Sequence, residues 1–316
     1  MPGTCGAVGS LAKLIVEPGA STHTFDSSSE PYAFIYETMK SRRVTAGGRV
    51  IWGTRSEPSA RRVKTSYVPV GTVHIQPGPL ALDNWLPRIL GGTKTGNNID
   101  PAETLPTFGM MIHRDNGVFQ YSDCVVGQAV LTGRSGPSDG GEAEVIDLAM
   151  VIYAKTETGP DDGSPPSWPG SPPALQEGAQ HLPYVFGQGV LTLDGSAVPF
   201  DSFALSIDNM ISVRMRNSLT PTCFLPTGRR VALNVQLPFL TSTHTIAYDA
   251  WDAGITGSLV FTAGAYSLTA TFPQLRNIYQ PPTVPGKTEI PLELSFEALS
   301  TVATGYEIRF TNDSTT

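Results

Sequence analysis

Residues 143–159 read AEVIDLAMVIYAKTETG, and residues 288–305 read TEIPLELSFEALSTVATG. Each stretch alternates apolar and polar residues, the period-two pattern of a strand with one buried and one wet face, and each ends on Thr-Gly. Other landmarks recur in the same order: Leu14-Ile15-Val16-Glu17 with Leu191-Thr192-Leu193-Asp194, Phe34 with Phe203, Arg61-Arg62-Val63 with Arg229-Arg230-Val231, and Asp83-Asn84-Trp85 with Asp249-Ala250-Trp251. One pattern is written twice. The expectation is a duplicated domain, with one copy at residues 1–159, a linker at 160–181 and a second copy at 182–316.

Strand signals run outward from these stretches. In the first copy they cover 33–36, 50–52, 66–75, 108–113, 119–131 and 145–154, and in the second 190–193, 203–215, 231–237, 258–261, 267–272, 289–298 and 306–310. Asn116-Gly117 marks a hairpin, because both residues tolerate positive φ, and the run from Thr262 to Ala265 takes the matching place. Only two helices are expected. Pro79 to Leu90 puts Leu80, Leu82, Trp85, Leu86, Ile89 and Leu90 on one broad stripe, and Ile246 to Ile255 carries Tyr248, Trp251 and Ile255, which predicts two equivalent tryptophan anchors. The fold class is therefore all-β dominated, as two tandem β-sandwich or barrel domains with one flanking helix each. Between them Pro, Gly and Ser displace the apolar pattern, as in a linker, although Trp168 and Leu175 suit a segment docked on a surface.

At 316 residues, 40% of them hydrophobic, the chain can bury two cores and is too apolar to be disordered. Its 32 Gly and 27 Pro fit a protein rich in turns. A formal net charge of −7 argues against nucleic-acid affinity, which needs a basic face. The odd count of three cysteines, Cys5, Cys124 and Cys223, reads as buried thiols in a reducing compartment. The N-terminus lacks a basic start and a long apolar core, so no signal peptide is expected, and no run approaches the roughly 20 apolar residues of a membrane span.

Catalytic signatures are missing from the sequence. The five histidines are scattered, with no HExxH, and no metal or cofactor is expected. There is no GxSxG elbow, and Gly92-Thr93-Lys94-Thr95-Gly96 is not a phosphate loop. Asp249 and Asp252 are the least implausible carboxylate pair for glycoside chemistry, but they read better as helix-capping residues. The local charge excess, over residues 40–64, is Lys40, Arg42 and Arg43, then Arg49, Arg55, Arg61, Arg62 and Lys64. It reads as a long polar hairpin or loop that pairs with acidic groups on a neighbouring subunit and gains order only there.

The order of motifs in the first copy resembles a known family. Tyr36-Glu37-Thr38-Met39 with Arg42-Arg43, Val50 to Arg55, Val70 to Ile75 and Leu82 to Gly92 are similar to the major tail tube proteins of long-tailed bacteriophages, and Leu225 to Arg230 and Pro285 to Ile290 fit as well. The resemblance implies a non-enzymatic virion component that self-assembles into stacked rings, a hollow tube through which the genome passes. Its implied partners are further copies of the chain, the tape measure, tail terminator and distal tail proteins, and duplex DNA in transient passage, with assembly in the host cytoplasm and no membrane. Duplication suggests rings of three chains with pseudo-six-fold symmetry, the alternative being hexameric rings. A lumen that lets DNA slide should be acidic or neutral. Glu293 and Glu297, opposite Leu292, Leu294 and Phe296 in alternation, are the lining candidates. The competing reading is a glycan-binding or glycan-hydrolysing β-sandwich virion protein, with Trp52 and Trp168 stacking on sugars.

Overall fold

The computed structural model of the chain describes residues 9–19, 23–47, 62–136, 145–175, 178–277 and 290–314. The first half holds β1 (Lys13–Pro18), β2 (Glu30–Tyr32), β3 (Tyr36–Glu37), β4 (Lys40–Gly47), β5 (Arg62–Ile75), α1 (Pro79–Leu90), β6 (Asn98–Ile99), β7 (Phe108–His113), β8 (Val118–Arg134), β9 (Asp147–Tyr153) and β10 (Thr156–Thr158). The second holds β11 (Gly189–Leu193), β12 (Ser196–Val198), β13 (Ser202–Asp208), β14 (Ile211–Arg214), β15 (Cys223–Pro226), β16 (Arg230–Pro238), α2 (Thr241–Asp252), β17 (Ile255–Ala263), β18 (Tyr266–Asn277), β19 (Pro291–Leu299) and β20 (Arg309–Asp313). Strands dominate, and the fold is all-β with two α-helices among the described residues.

Strand pairing repeats between the halves. The first runs β1–β7–β8–β9–β5–β4 and the second β11–β17–β18–β19–β16–β13, every step antiparallel. The short partners match too: β2 lies on β1 as β12 on β11, and β10 on β8 as β20 on β18. Both central hairpins bulge at the same step, between Phe108 and Met110 and between Ile255 and Gly257. This register makes Leu14-Ile15-Val16 the counterpart of Leu191-Thr192-Leu193. It also aligns the buried Leu148, Met150, Ile152 and Ala154 with Leu292, Leu294, Phe296 and Ala298. Other landmarks slip. Val70 faces Tyr153 where Ala232 faces Glu297, so Arg230 answers to Val68 rather than Arg62.

The helices follow equivalent strands and both span 12 residues. Pro79 opens α1, where its missing N–H costs nothing. Gly91 closes it in the left-handed region at φ 90°, donating its N–H to the Pro87 carbonyl at 2.8 Å. Trp85, fully buried, packs between Tyr32 and Phe108 at 5.2 and 5.6 Å. α2 begins five residues before the expected Ile246, because the Thr243 hydroxyl accepts the Leu240 N–H at 2.9 Å, and it stops before Gly254, at φ 81°. The counterpart of Trp85 is then Ala247, and Trp251 is 50% exposed, which corrects the reading of two equivalent tryptophan anchors.

β8 joins the halves. Its first segment pairs with β7 and β10, while its second pairs with β9 on one side and with β13 on the other, Gln128–Arg134 against Ser202–Asp208. One antiparallel sheet therefore runs β4–β5–β9–β8–β13–β16–β19, and one apolar cluster continues beneath it through both halves. At about 1.5–3 kcal/mol per fully buried large apolar side chain, this shared core dominates the folding energy. Residues 160–175 form no strand, but Trp168 lies against the His113 ring at 5.4 Å, so this stretch is docked.

Candidate lumen face and assembly surfaces

Register decides which side chains share a face of the long sheet. Ala232, Asn234 and Gln236 of β16 lie beside Glu297, Ser295 and Glu293 of β19 on one flank and Ser206, Ala204 and Ser202 of β13 on the other. The same face continues through Val130, Thr132 and Arg134 of β8, then Ala149 and Asp147 of β9, and reaches Thr72 and His74 of β5. Intervening residues such as Leu205, Leu233, Leu294 and Phe296 are buried on the opposite face. The wet face is polar and mostly small, with an open hollow of about 680 Å³ over β13, β16 and β19.

Its charges are mixed. Arg230 reaches Glu297 at 3.4 Å, and His74 lies 3.8 Å from Asp147. The Arg230 pair is exposed on both sides and contributes little, about 0–1 kcal/mol, so its consequence is the electrostatic character of the surface. Where side chains are described, the face carries Asp147, Asp208, Glu293 and Glu297 against Lys40, Arg134, Arg230 and Arg276, four of each sign. Glu293 and Glu297 thus lie on the polar face of β19 as the alternation requires.

The basic candidates fall on the β4–β5 hairpin. Lys40 opposes Val70, Arg42 opposes Val68, Arg43 opposes Tyr67, and Arg62 opposes Gly47. Arg55 and Arg61 lie outside the described residues, as does Trp52. Residues 40–47 pair with 62–70 as a ladder within the subunit. The Tyr67 N–H also donates to the Leu219 carbonyl at 2.9 Å, tying the hairpin to the second half.

Sequence reasoning missed the polar joint between the halves. Asn209, 1% exposed, donates from Nδ2 to the Ile89 carbonyl at 2.8 Å and the Val126 carbonyl at 3.1 Å. Arg229 donates to the carbonyls of Leu90 and Ala102 at 3.0 and 2.5 Å, and pairs with Glu307 at 3.1 Å. Two of the last carbonyls of α1, Ile89 and Leu90, which a helix leaves unsatisfied, thus accept from side chains of the second half. A cue lay in Asn209-Met210, a turn whose partners are far away in sequence.

The other candidates come out as follows. Cys124 is buried and its thiol is pushed well up by desolvation, whereas Cys223 is exposed, against the expectation of buried thiols. Asp249 and Asp252 sit in the final turn of α2 rather than at a cap. Trp168, a proposed sugar platform, is packed on His113. Among the described residues no group of three or more His, Cys, Asp or Glu is placed to hold a metal, and no helix is long and apolar enough to cross a membrane.

A closed apolar core beneath a broad, polar, charge-balanced sheet defines a structural β protein built around a surface rather than a cleft. A family model for phage tail tube protein matches residues 15–298, and the chain belongs to that family. It is thus a structural component of a phage tail, and the family implies a part without enzymatic activity. No curated protein matches it.

Proposed function

We propose that the chain assembles into rings that stack as the tail tube and conduct the genome into the host, with the polar face of the long sheet lining the lumen. The observation that carries this reading is the single antiparallel sheet from β4 to β19, which crosses between two halves of matching topology and keeps one polar, small-residue face throughout. Each half is one tail-tube domain, at residues 1–159 and 182–316, joined by 160–181 and derived by duplication. Three chains then supply six domains, a ring with pseudo-six-fold symmetry closed by repeating one contact. Lys40, Arg42, Arg43 and Arg62 of β4 and β5, together with Arg55 and Arg61, which fall between them in the sequence, meet acidic groups of a neighbouring subunit, and Glu293 and Glu297 face the passing duplex. The tape measure, tail terminator and distal tail proteins complete the assembly, which forms in the host cytoplasm.

Electron microscopy of the purified full chain tests this directly. Rings or tubes with three chains per layer are expected. Layers of six whole chains would remove the trimer, and a protein that stays monomeric at every concentration and salt would remove the tube.

A further inference from the structure

We infer that the α2 face bearing Trp251 is one side of the contact between chains in a ring, and that the first half of a second copy covers it. The inference deepens the ring reading above and rests on it. Leu86 and Ile89, the eighth and eleventh residues of α1, are 3% and 1% exposed. With Leu82 they close over a seam, enclosed by Ala129, Leu131 and Leu148 of the first half and by Leu205, Ile207 and Phe310 of the second. α1 is therefore buried because another half stands beside its own.

α2 has the same length and follows the equivalent strand, and its eleventh residue is Trp251, 50% exposed and 5.6 Å from the Tyr248 ring. Just before the helix, Phe239 and Leu240 are 38% and 47% exposed. Among the described residues α2 packs on β17 and β18 of its own half, whereas α1 also meets Leu205 and Ile207 of β13 and Phe310 of β20 from the other half. Large apolar groups gathered at such a place mark an interaction surface. Inside the chain the contact runs from the helix of one half to the β13 side of the next. Repeated between chains, it runs from α2 to the β3–β4 side of another copy's first half, beside which Ile35 is 51% exposed. A head-to-tail contact of this kind generates a closed ring when its rotation matches.

The two contacts differ in one respect. Thr38 donates its N–H inward to Thr72, so Met39 turns its own groups to the outer edge. There Glu37 accepts the Met39 N–H at 2.7 Å and Arg114 donates to its carbonyl at 2.6 Å. At this point the main chain is already satisfied, and side-chain packing on α2 rather than a continued ladder provides the association.

The test uses the full chain. Trp251→Ser, compared with the parent by thermal unfolding and sedimentation, keeps its melting temperature and needs a concentration raised about tenfold or more to assemble. A benzophenone amino acid at position 240 in assembled protein cross-links to residues 35–47 or 62–75 of another copy. Assembly of Trp251→Ser at the parent concentration, or cross-links to the partner's second half, overturns the inference while leaving the rings intact. A parent protein that forms no rings overturns the ring reading, and this contact with it.

Discussion

Asn209 couples the two halves through one amide. Its replacement by alanine takes the Asn209 amide donor from the Ile89 and Val126 carbonyls and removes one of the acceptors of Arg229, in a site closed to water. With about 1–3 kcal/mol per buried group left unmade, unfolding in urea should show a loss of about 2–4 kcal/mol, and a loss under about 1 kcal/mol would show that the joint is not held by this residue. His23 sets a pH dependence. Its ring fills the space over Gly109, and desolvation lowers its pKa against the opposing pull of Asp123 and Glu17. The unfolded chain titrates near about 6.5 and so takes up this proton first. The contribution of neutral His23 is complete above that pH and is lost as pH falls through it toward the lower folded value. His23→Gln should therefore flatten the decline in stability between about pH 7 and pH 5, and parallel declines in both proteins would remove His23 as the cause.

At the level of elements, what the sequence made legible was what alternation and local turn chemistry encode. β9 and β19 read correctly because Leu148, Met150 and Ile152, like Leu292, Leu294 and Phe296, all point to one core. α1 read correctly because Pro79 and Gly91 punctuate it. α2 was misplaced because Trp251 and Ile255 suggested a buried stripe, while the cue for its start was a single hydroxyl, Thr243. The β8–β13 ladder was not legible, since no local signal reports which strands separated by many residues will pair. Glu293 and Glu297 were legible as a polar face from period two alone. The helix comparison makes a sharp prediction: Trp85→Ala, which opens a cavity between Tyr32 and Phe108, should destabilise the monomer by about 3–5 kcal/mol. Trp251→Ala should stay within about 0.5 kcal/mol. Equal losses would show that α2 is anchored as α1 is. Charge reversal at Arg42, Arg43 and Arg55 should leave the melting temperature unchanged and stop polymerisation, and normal tubes from that variant would take this basic segment out of assembly.

At the scale of the whole molecule, the question is what a conduit wall must do to a polyanion. Duplex DNA presents about one charge per 1.7 Å of axis, and each phosphate neutralised by a lysine or arginine releases a counterion, so a basic wall would hold the genome in place. The chain instead carries a formal net charge of −7, and its polar face sets Asp147, Asp208, Glu293 and Glu297 against Lys40, Arg134, Arg230 and Arg276. Cations paired across strands, such as Arg230 with Glu297, are already neutralised before DNA arrives. Over β13, β16 and β19 the side chains between them, Ala204, Ser206, Ala232 and Ser295, are small and offer no ring on which bases could stack. The expected outcome is that the purified protein, free or assembled, shows no retention of duplex DNA in a gel-shift assay at physiological salt. Replacing Glu293 and Glu297 by lysine moves the face from balance to an excess of four positive charges, and binding should appear that weakens steeply as salt is raised. Tight, salt-sensitive binding by the unaltered protein, or none by the lysine variant once it is shown to form tubes, would mean that this face does not meet the genome.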